Sequence, residues 1–315
     1  MTLAFDLSLL PDESDSERCA AHAERIDLDP GGSALWVDEL IVVDVPLPWP
    51  KPVWAKDGFT AVPELMMAAA ESGRRVRVLA AVPLDDGISR VVTHRLENHA
   101  TFARAEHHVA AAEVAGLLSS LLADGLDASQ STVVSTAPVR EFLLCTQGSH
   151  DMCCGSRGAS MHVDLRRVDP SLAVRRVSHT GGHRMAPTGV TLPDGRMWGM
   201  VTTTEMAAIL HLDASPAAVA TRCRGWIGAA GGPEQMAERA VFAELDDWSF
   251  GLVPRTTRVI SGDGSTVVEV DADGDRWRVE VAPGRAVPTI ACGEPGGLPA
   301  KPGAEWAVVS VSRAS

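Results

Sequence analysis

The sequence predicts an α/β (α+β) protein in which one order of strands and helices occurs twice and a small antiparallel sheet follows. Three observations lead to this prediction. Short β-branched runs alternate with helical stretches in the middle of the chain. The first 125 residues repeat that alternation, and the last hundred contain alternating polar and apolar runs separated by Gly-Asp turns.

The middle unit begins with an apolar strand at residues 141–147 (EFLLCTQ), and a helix is predicted from Gly155 to Val168. A second strand at residues 172–177 leads into the segment HTGGHR. The turn at Pro193–Gly195 lies between two β-prone runs and predicts a hairpin, and TEMAAILHL predicts a closing helix. This order of strand, helix, strand, hairpin and helix is that of a thioredoxin-like fold.

The first unit shows the same order, with a strand in SALWVDELIVV, a helix in AVPELMMAAAESG and a strand in RRVRVLAAVP. SRVVTHRL and TFARAEHHV are predicted to pair, and the helix that follows ends at Gly125 as its C-cap. The first loop of this unit, PLPWPKPVWAKDG, contains no cysteine. We therefore expect a second thioredoxin-like copy that lacks cofactor ligands.

The rest of the chain predicts helices at residues 216–228 and 233–245, and then a small antiparallel sheet from three alternating runs within residues 256–282. The chain is thus divided into an N-terminal thioredoxin-like domain without a cluster, a thioredoxin-like domain with the ligands, and a helical and β-rich C-terminal region: residues 1–130, 131–215 and 216–315.

Composition and charge exclude several classes of protein. The chain has 45% hydrophobic and 22% charged residues, with no apolar run long enough to span a bilayer, so no membrane partner is expected. The N-terminus has no basic leader, which predicts a cytoplasmic location. The net charge of -13 disfavours nucleic acid as a partner.

The positive charges are concentrated in one part of the chain. Residues 139–185 carry seven arginines against four acidic residues. This local excess indicates either a solvated helix face with strand ends or a docking surface for an acidic redox partner.

Two motifs about thirty residues apart, CTQGSHDMCCGSRG from Cys145 and HTGGHR from His179, offer cysteines and histidines together. The eight residues between Cys145 and Cys154 exceed the two to four of a zinc knuckle. Two glycines between His179 and His183 let the backbone turn around a bulky group. Thiolates with imidazoles suit iron–sulfur chemistry, in which Rieske-type centres place two histidines on one iron. The spacing therefore favours a cluster over a single ion.

Several residues in or beside these motifs can be interpreted in two ways. Cys153 and Cys154 are adjacent, so at most one of them is expected to ligate. His150 and Asp151 either form turns or hydrogen-bond to the metal ligands. Arg184 is either solvated or a second-layer contact of the site.

The six cysteines are too sparse for a disulfide framework and are predicted to be reduced. Among them, Cys292 lies alone in a glycine-rich segment, ACGEPGG. An isolated cysteine of this kind is expected to be a small buried hydrophobe and not a ligand.

Both motifs, C-T-x-G-x-x-D-x-C-C-x-x-x-G and H-x-G-G-H-R, match those of the sucrase/ferredoxin-like family, which the chain resembles over most of its length. Members carry a thioredoxin-like ferredoxin domain. The resemblance implies a 2Fe-2S cluster bound by two cysteines and two histidines, here Cys145, Cys154, His179 and His183. Family spacing places the second cysteine ligand at Cys154, with Cys153 as the alternative.

This ligand set predicts an electron-transfer protein, a carrier more than an enzyme, that serves a reductase or an acceptor protein. Two ferric ions, two sulfides and two thiolates sum to roughly zero charge when the histidines are neutral, which raises the reduction potential relative to four thiolates. An imidazole ligand also holds a proton on its outer nitrogen, so electron and proton uptake are expected to be coupled. Sucrase activity is not expected, because no paired carboxylates stand in a recognisable glycosidase setting.

Two other functions fit parts of the pattern. Four ligands of this chemistry could hold a zinc ion that only stabilises an interaction protein. A thiol–disulfide oxidoreductase is the weaker alternative, because such enzymes usually use C-x-x-C, whereas Cys153 and Cys154 are adjacent.

Overall fold

The computed structural model describes residues 5–84, 86–127, 132–263 and 265–314. Within these ranges ten strands form one mixed sheet, four strands form a separate antiparallel sheet, and seven α-helices are present. The predicted α/β class is therefore confirmed. None of the helices in the described ranges is long and apolar enough to cross a membrane.

The N-terminal copy follows a short helix, α1 (Cys19–Arg25). Its elements are, in chain order, β1 (Glu39–Asp44), α2 (Val62–Glu71), β2 (Val76–Ala81), β3 (Ser89–Glu97), β4 (Thr101–Val109) and α3 (Val114–Asp124). Across the sheet the strand order is β4-β3-β1-β2, with β1 parallel to β2 and antiparallel to β3. A short strand, β5 (Val133–Ser135), extends the sheet beyond β4.

Helix α3 illustrates how sequence periodicity produces this packing. Its buried side chains recur at helical spacing and pack on the sheet with Ile41 and Val43 of β1. They are Val114, Leu117, Leu118, Leu121 and Leu122. The helix ends as predicted at Gly125, whose φ of 92° lies in the left-handed region that favours glycine.

The second copy repeats this arrangement. Its elements are β6 (Glu141–Cys145), α4 (Ala159–Val168), β7 (Ala173–Val177), β8 (Thr188–Leu192), β9 (Arg196–Gly199) and α5 (Thr203–His211). The strand order β9-β8-β6-β7 is that of the first copy, and β6 is parallel to β7 and antiparallel to β8. Both thioredoxin-like units predicted from the sequence are therefore present.

The two copies share one continuous sheet. Strand β2 of the first copy pairs antiparallel with β7 of the second, at Ala81 and Val177. The predicted domain bounds remain predictions, and the boundary at residues 130/131 lies outside the described residues.

The C-terminal region departs from the sequence prediction at one helix. The helix predicted at residues 216–228 is wrong in its second half: only α6 (Pro216–Val219) is α-helical, and β10 (Cys223–Trp226) is a strand paired with β9. Gly225 has a φ of 137°, which is incompatible with a helix. Trp226, at the end of β10, is buried.

The remaining elements are α7 (Gly232–Leu245), β11 (Arg255–Asp263), β12 (Ser265–Ala272), β13 (Asp275–Thr289) and β14 (Lys301–Arg313). The four strands form the predicted antiparallel sheet in the order β11-β12-β13-β14. The first three of these strands are predicted from the sequence, and β14 has no counterpart in that prediction. Apolar residues of this sheet and of α7 share one core with the second copy, so the C-terminal region packs on the half that contains the cysteine and histidine motifs.

A buried charge network joins these layers. Glu238 of α7 accepts hydrogen bonds from Arg196 of β9 at 2.7 and 2.8 Å and from Arg255 of β11 at 2.9 Å. All three side chains are 0% exposed. Arg255 also donates to the carbonyls of Gly251 and Ala100, and its burial lowers its pKa to about 10. One carboxylate thus neutralises part of the charge of two buried guanidinium groups.

We predict that Glu238→Gln lowers the free energy of unfolding by about 3–5 kcal/mol, because two buried guanidinium groups then lose their carboxylate. The measurement is urea unfolding against Glu244→Gln, an exposed position on the same helix where a change within about 0.5 kcal/mol is expected. Equal stability of the two variants would contradict the role given to the network.

Candidate functional site

The register of β6 and β7 brings the two sequence motifs together. These strands are parallel, and Cys145, the last residue of β6, pairs with Val177, the last residue of β7. The loops that follow both strands therefore leave the same edge of the sheet. His179 lies two residues beyond β7, so the cysteine and histidine motifs meet although about thirty residues separate them.

The Cys145 sulfur is the buried centre of the pocket. It accepts a hydrogen bond from the Cys154 thiol, and further bonds come from the His179 ring and from the backbone N–H groups of Thr180 and Gln147. Together, led by the Cys154 bond, they hold the pKa of Cys145 well below its ordinary value despite its burial. The same bond, together with burial, raises the pKa of Cys154. Groups from both motifs thus converge on the Cys145 sulfur.

His179 lies beside that sulfur with one ring nitrogen unused. Its Nδ1 atom is buried and makes no well-formed hydrogen bond to any residue that the structure describes. The imidazole of His150 stacks on the ring, with centroids 3.8 Å apart. Gln147 accepts the backbone N–H of His179 at 3.1 Å, and Arg77 donates to its carbonyl at 2.8 Å. The backbone of this residue is therefore fixed while a ring nitrogen is left for a ligand.

Asp151 connects the two motifs. Its Oδ1 atom accepts the backbone N–H of Cys153 at 2.8 Å and of Cys154 at 3.4 Å, as an N-cap does. Its Oδ2 atom lies 2.9 Å from Nδ1 of His183. The side chain therefore forms the expected turn and also contacts a histidine of the second motif, while its role beside metal ligands stays a prediction.

The structure separates the adjacent cysteines, because Cys153 turns away from Cys145. Its Sγ atom lies 3.4 Å from that of Cys19 and 3.8 Å from that of Cys292. The hydrogen bond with the Cys19 thiol lowers the pKa of Cys153 to about 6 and raises that of Cys19. Cys292 is half-buried and packs beside these two thiols, and its expected role as a small hydrophobe stays a prediction.

A partly buried arginine and a buried arginine fix the histidine loop. Arg184, a candidate contact of the site, donates to Thr289 of β13 at 2.6 Å, and burial lowers its pKa. Arg224, which sequence reasoning missed, donates to the Gly181 carbonyl at 3.0 Å and to Thr188 at 2.8 Å. Burial lowers the pKa of Arg224 to about 10. This arginine lies on β10, the strand that the sequence analysis took for a helix.

Glycines allow the loops to adopt this geometry. Gly181 and Gly182 have φ angles of 84° and 73°, which confirms the tight turn predicted between the two histidines. At the other loop, a Cβ atom on Gly158 would lie 2.1 Å from the carbonyl oxygen of Cys145. Only glycine permits that approach of helix to strand.

The first loop of the N-terminal copy covers the cysteine loop of the second. Gln147 donates to the Pro50 carbonyl at 3.0 Å, and Lys51 donates to the His150 carbonyl at 2.9 Å. The copy without ligands thus takes part in shaping the site.

Fold and pocket together define a duplicated thioredoxin-like protein with a buried cysteine and histidine pocket in its second copy. The family model described as sucrase/ferredoxin-like matches residues 32–225, which is more than half of the 315 residues. The chain therefore belongs to the sucrase/ferredoxin-like family. Comparisons with curated proteins and with solved structures gave no match.

We predict that Gly158→Ala lowers the free energy of unfolding by about 1–3 kcal/mol, because the new methyl group forces helix and strand apart at Cys145. Gly116→Ala, in helix α3 with open space around the site of the new Cβ, is the matched control. It should stabilise the protein by about 0.5–1 kcal/mol. Thermal unfolding of both variants checks the opposite signs, and a shift of the same sign in both would contradict the packing argument.

Proposed function

We propose that this protein is an electron carrier whose 2Fe-2S cluster is bound by two cysteines and two histidines: Cys145, Cys154, His179 and His183. The observation on which the proposal rests is the pocket at the ends of β6 and β7. There the buried sulfur of Cys145 adjoins a histidine, His179, whose buried Nδ1 atom has no hydrogen-bond partner among the described residues. A buried donor set of this kind fits a metal group better than it fits an empty core.

Ligand spacing supports a cluster over a single zinc ion. A tetrahedral zinc with bonds of about 2.3 Å to sulfur requires its sulfur ligands to lie roughly 3.8 Å apart. In the described part of the chain, the groups of three candidate ligand atoms that all lie within 4.8 Å of one another do not include Cys145 or Cys154. The ring centroids of His179 and His183 are 6.5 Å apart. No three of the four proposed ligands therefore converge as the ligands of one small ion would, and the eight residues between Cys145 and Cys154 also exceed the two to four of a zinc knuckle.

The contacts of the two adjacent cysteines support Cys154 as the second sulfur ligand. Its thiol hydrogen-bonds to Cys145, whereas the sulfur of Cys153 contacts Cys19 and Cys292. The spacing of the family motif and the direction of the side chain therefore both favour Cys154 as the second sulfur ligand.

When bound, a 2Fe-2S cluster supplies one-electron transfer. The chain's own contribution is the charge around it. The ligands include only two thiolates, and buried guanidinium groups of Arg77 and Arg224 lie close enough to interact with the charge on Cys145. Positive charge beside the site favours an added electron, so we expect a reduction potential above that of a four-thiolate ferredoxin.

His183 is the residue that we assign to proton uptake. Its side chain is 39% exposed, and its Nδ1 atom lies 2.9 Å from Asp151. Coordination through Nε2 would leave a proton on Nδ1, held by that carboxylate and in reach of water. If a cluster were bound here, His183 would be the ligand that holds an exchangeable proton in reach of solvent.

The electron donor and acceptor are proposed to be proteins, a reductase or an acceptor, that dock beside His183. Some arginines of the segment predicted for docking, residues 139–185, are paired with acidic residues of this chain. Arg140, Arg157 and Arg175 form ion pairs with Asp194, Glu24 and Asp44. Nearby, Met152 is 58% exposed and offers an apolar contact next to the site.

Spectroscopy and metal analysis of anaerobically prepared protein test the proposal. We expect a reddish-brown protein with two irons and two sulfides per chain, loss of the cluster in Cys154→Ser, and retention in the matched control Cys153→Ser. His179→Cys and His183→Cys should each change the electron paramagnetic resonance spectrum, because a thiolate replaces an imidazole on iron.

Three results would contradict the proposal. Unchanged spectra in both histidine variants would remove the histidine ligands. A colourless protein that contains one zinc lost on Cys145→Ser would favour the structural zinc module. Robust disulfide reduction by metal-free protein would favour the thiol oxidoreductase.

A further inference from the structure

A second group of thiols lies beside the pocket and is assembled from three distant parts of the chain. Cys19 belongs to α1, Cys153 to the cysteine loop, and Cys292 to the turn after β13. The sulfur of Cys153 is 3.4 Å from that of Cys19 and 3.8 Å from that of Cys292, and all three sulfurs lie within 4.8 Å of one another.

We propose that Cys19, Cys153 and Cys292 bind one zinc ion at a site separate from the cluster pocket. Thiolates are preferred ligands of Zn²⁺, and sulfurs bound to a tetrahedral zinc lie roughly 3.8 Å apart. The observed separations of 3.4 and 3.8 Å are close to that value. The thiols need little rearrangement to become three corners of one coordination tetrahedron.

The surroundings of the sulfurs suit thiolates. The backbone N–H of Cys19 donates to Sγ of Cys292 at 3.4 Å, and the backbone N–H of Ala20 donates to Cys153. Hydrogen bonds of this kind support sulfur ligands in metal sites. Three thiolates with Zn²⁺ carry one net negative charge, and the partly buried guanidinium of Arg184 lies near enough to Cys19 to offset part of it.

The fourth coordination position is open. The nearest other donor is Nδ1 of His183, 3.3 Å from the Cys19 sulfur, but this atom is also paired with Asp151. Cys292 is only half-buried, so solvent reaches this side of the thiol group. We assign the fourth position to water, which a small ligand could replace.

A metal here would join segments that backbone bonds already hold together. The N–H groups of Gly293 and Gly296 donate to the carbonyls of Glu17 and Asp15, each at 2.9 Å. Cys19 and Cys292 lie outside the residues matched by the family model, whereas the four proposed cluster ligands lie inside. Two of the three proposed zinc ligands thus come from segments outside that match, while the third, Cys153, lies inside it beside the proposed cluster ligand Cys154.

The test is a Zn²⁺ titration of the full chain after chelator treatment, in competition with a chromophoric chelator and with iron measured on the same samples. We expect one zinc per chain. Cys19→Ser and Cys292→Ser should raise the dissociation constant about 100-fold or more, since even indirect contacts of a metal ligand change affinity 10–100-fold. Cys223→Ser, a buried cysteine outside both sites, should bind zinc as the wild type does.

A second measurement covers the case in which a serine variant does not fold. Zinc should slow alkylation of Cys292 in the wild-type chain, detected by mass spectrometry, and Co²⁺ in its place should give thiolate-to-metal absorption. Absence of zinc binding, or binding unchanged in Cys292→Ser, would overturn the proposal. Zinc lost only on Cys145→Ser would place the metal in the other pocket. Iron is measured separately from zinc. Failure of the cluster proposal would therefore appear as missing iron and would not be confused with these outcomes.

Discussion

The parallel pairing of β6 with β7 is the constraint on which the site depends. Because Cys145 and Val177 are register partners at the last position of each strand, both motif loops start from one edge of the sheet. The glycines of both loops then allow the pocket to form at that edge. Gly158 lets the helix approach the strand end, and the left-handed turn at Gly181 and Gly182 returns the histidines toward the sulfurs.

The N-terminal copy and the C-terminal region both contact the loops at this edge of the sheet. The N-terminal copy has the same strand order but lacks the cysteine and histidine motifs, and its first loop contacts the cysteine loop through Pro50 and Lys51. The C-terminal region supports the other side, where Arg184 reaches Thr289 and Cys292 meets Cys153. The unit that contains both motifs is therefore contacted by the parts of the chain that precede and follow it.

What could be predicted from the sequence was local or periodic. Strand and helix alternation revealed both copies, and the Gly-Gly between His179 and His183 indicated a tight turn. Residues 223–226 were misassigned because an apolar run can be strand or helix, and its pairing with β9 is tertiary. The contact of Cys19 with Cys292 left no local signal, since the residues are 273 positions apart. Asp151 could be noticed but not assigned, because its histidine contact depends on the meeting of two loops.

The most direct test of the mixed ligation is the midpoint potential of the cluster as a function of pH. With imidazole ligands, the reduced protein binds a proton more tightly than the oxidised protein. The potential should therefore be constant at low pH and fall by about 59 mV per pH unit once only the reduced form keeps the proton. A potential that stays flat from mildly acidic to strongly alkaline pH would contradict histidine ligation.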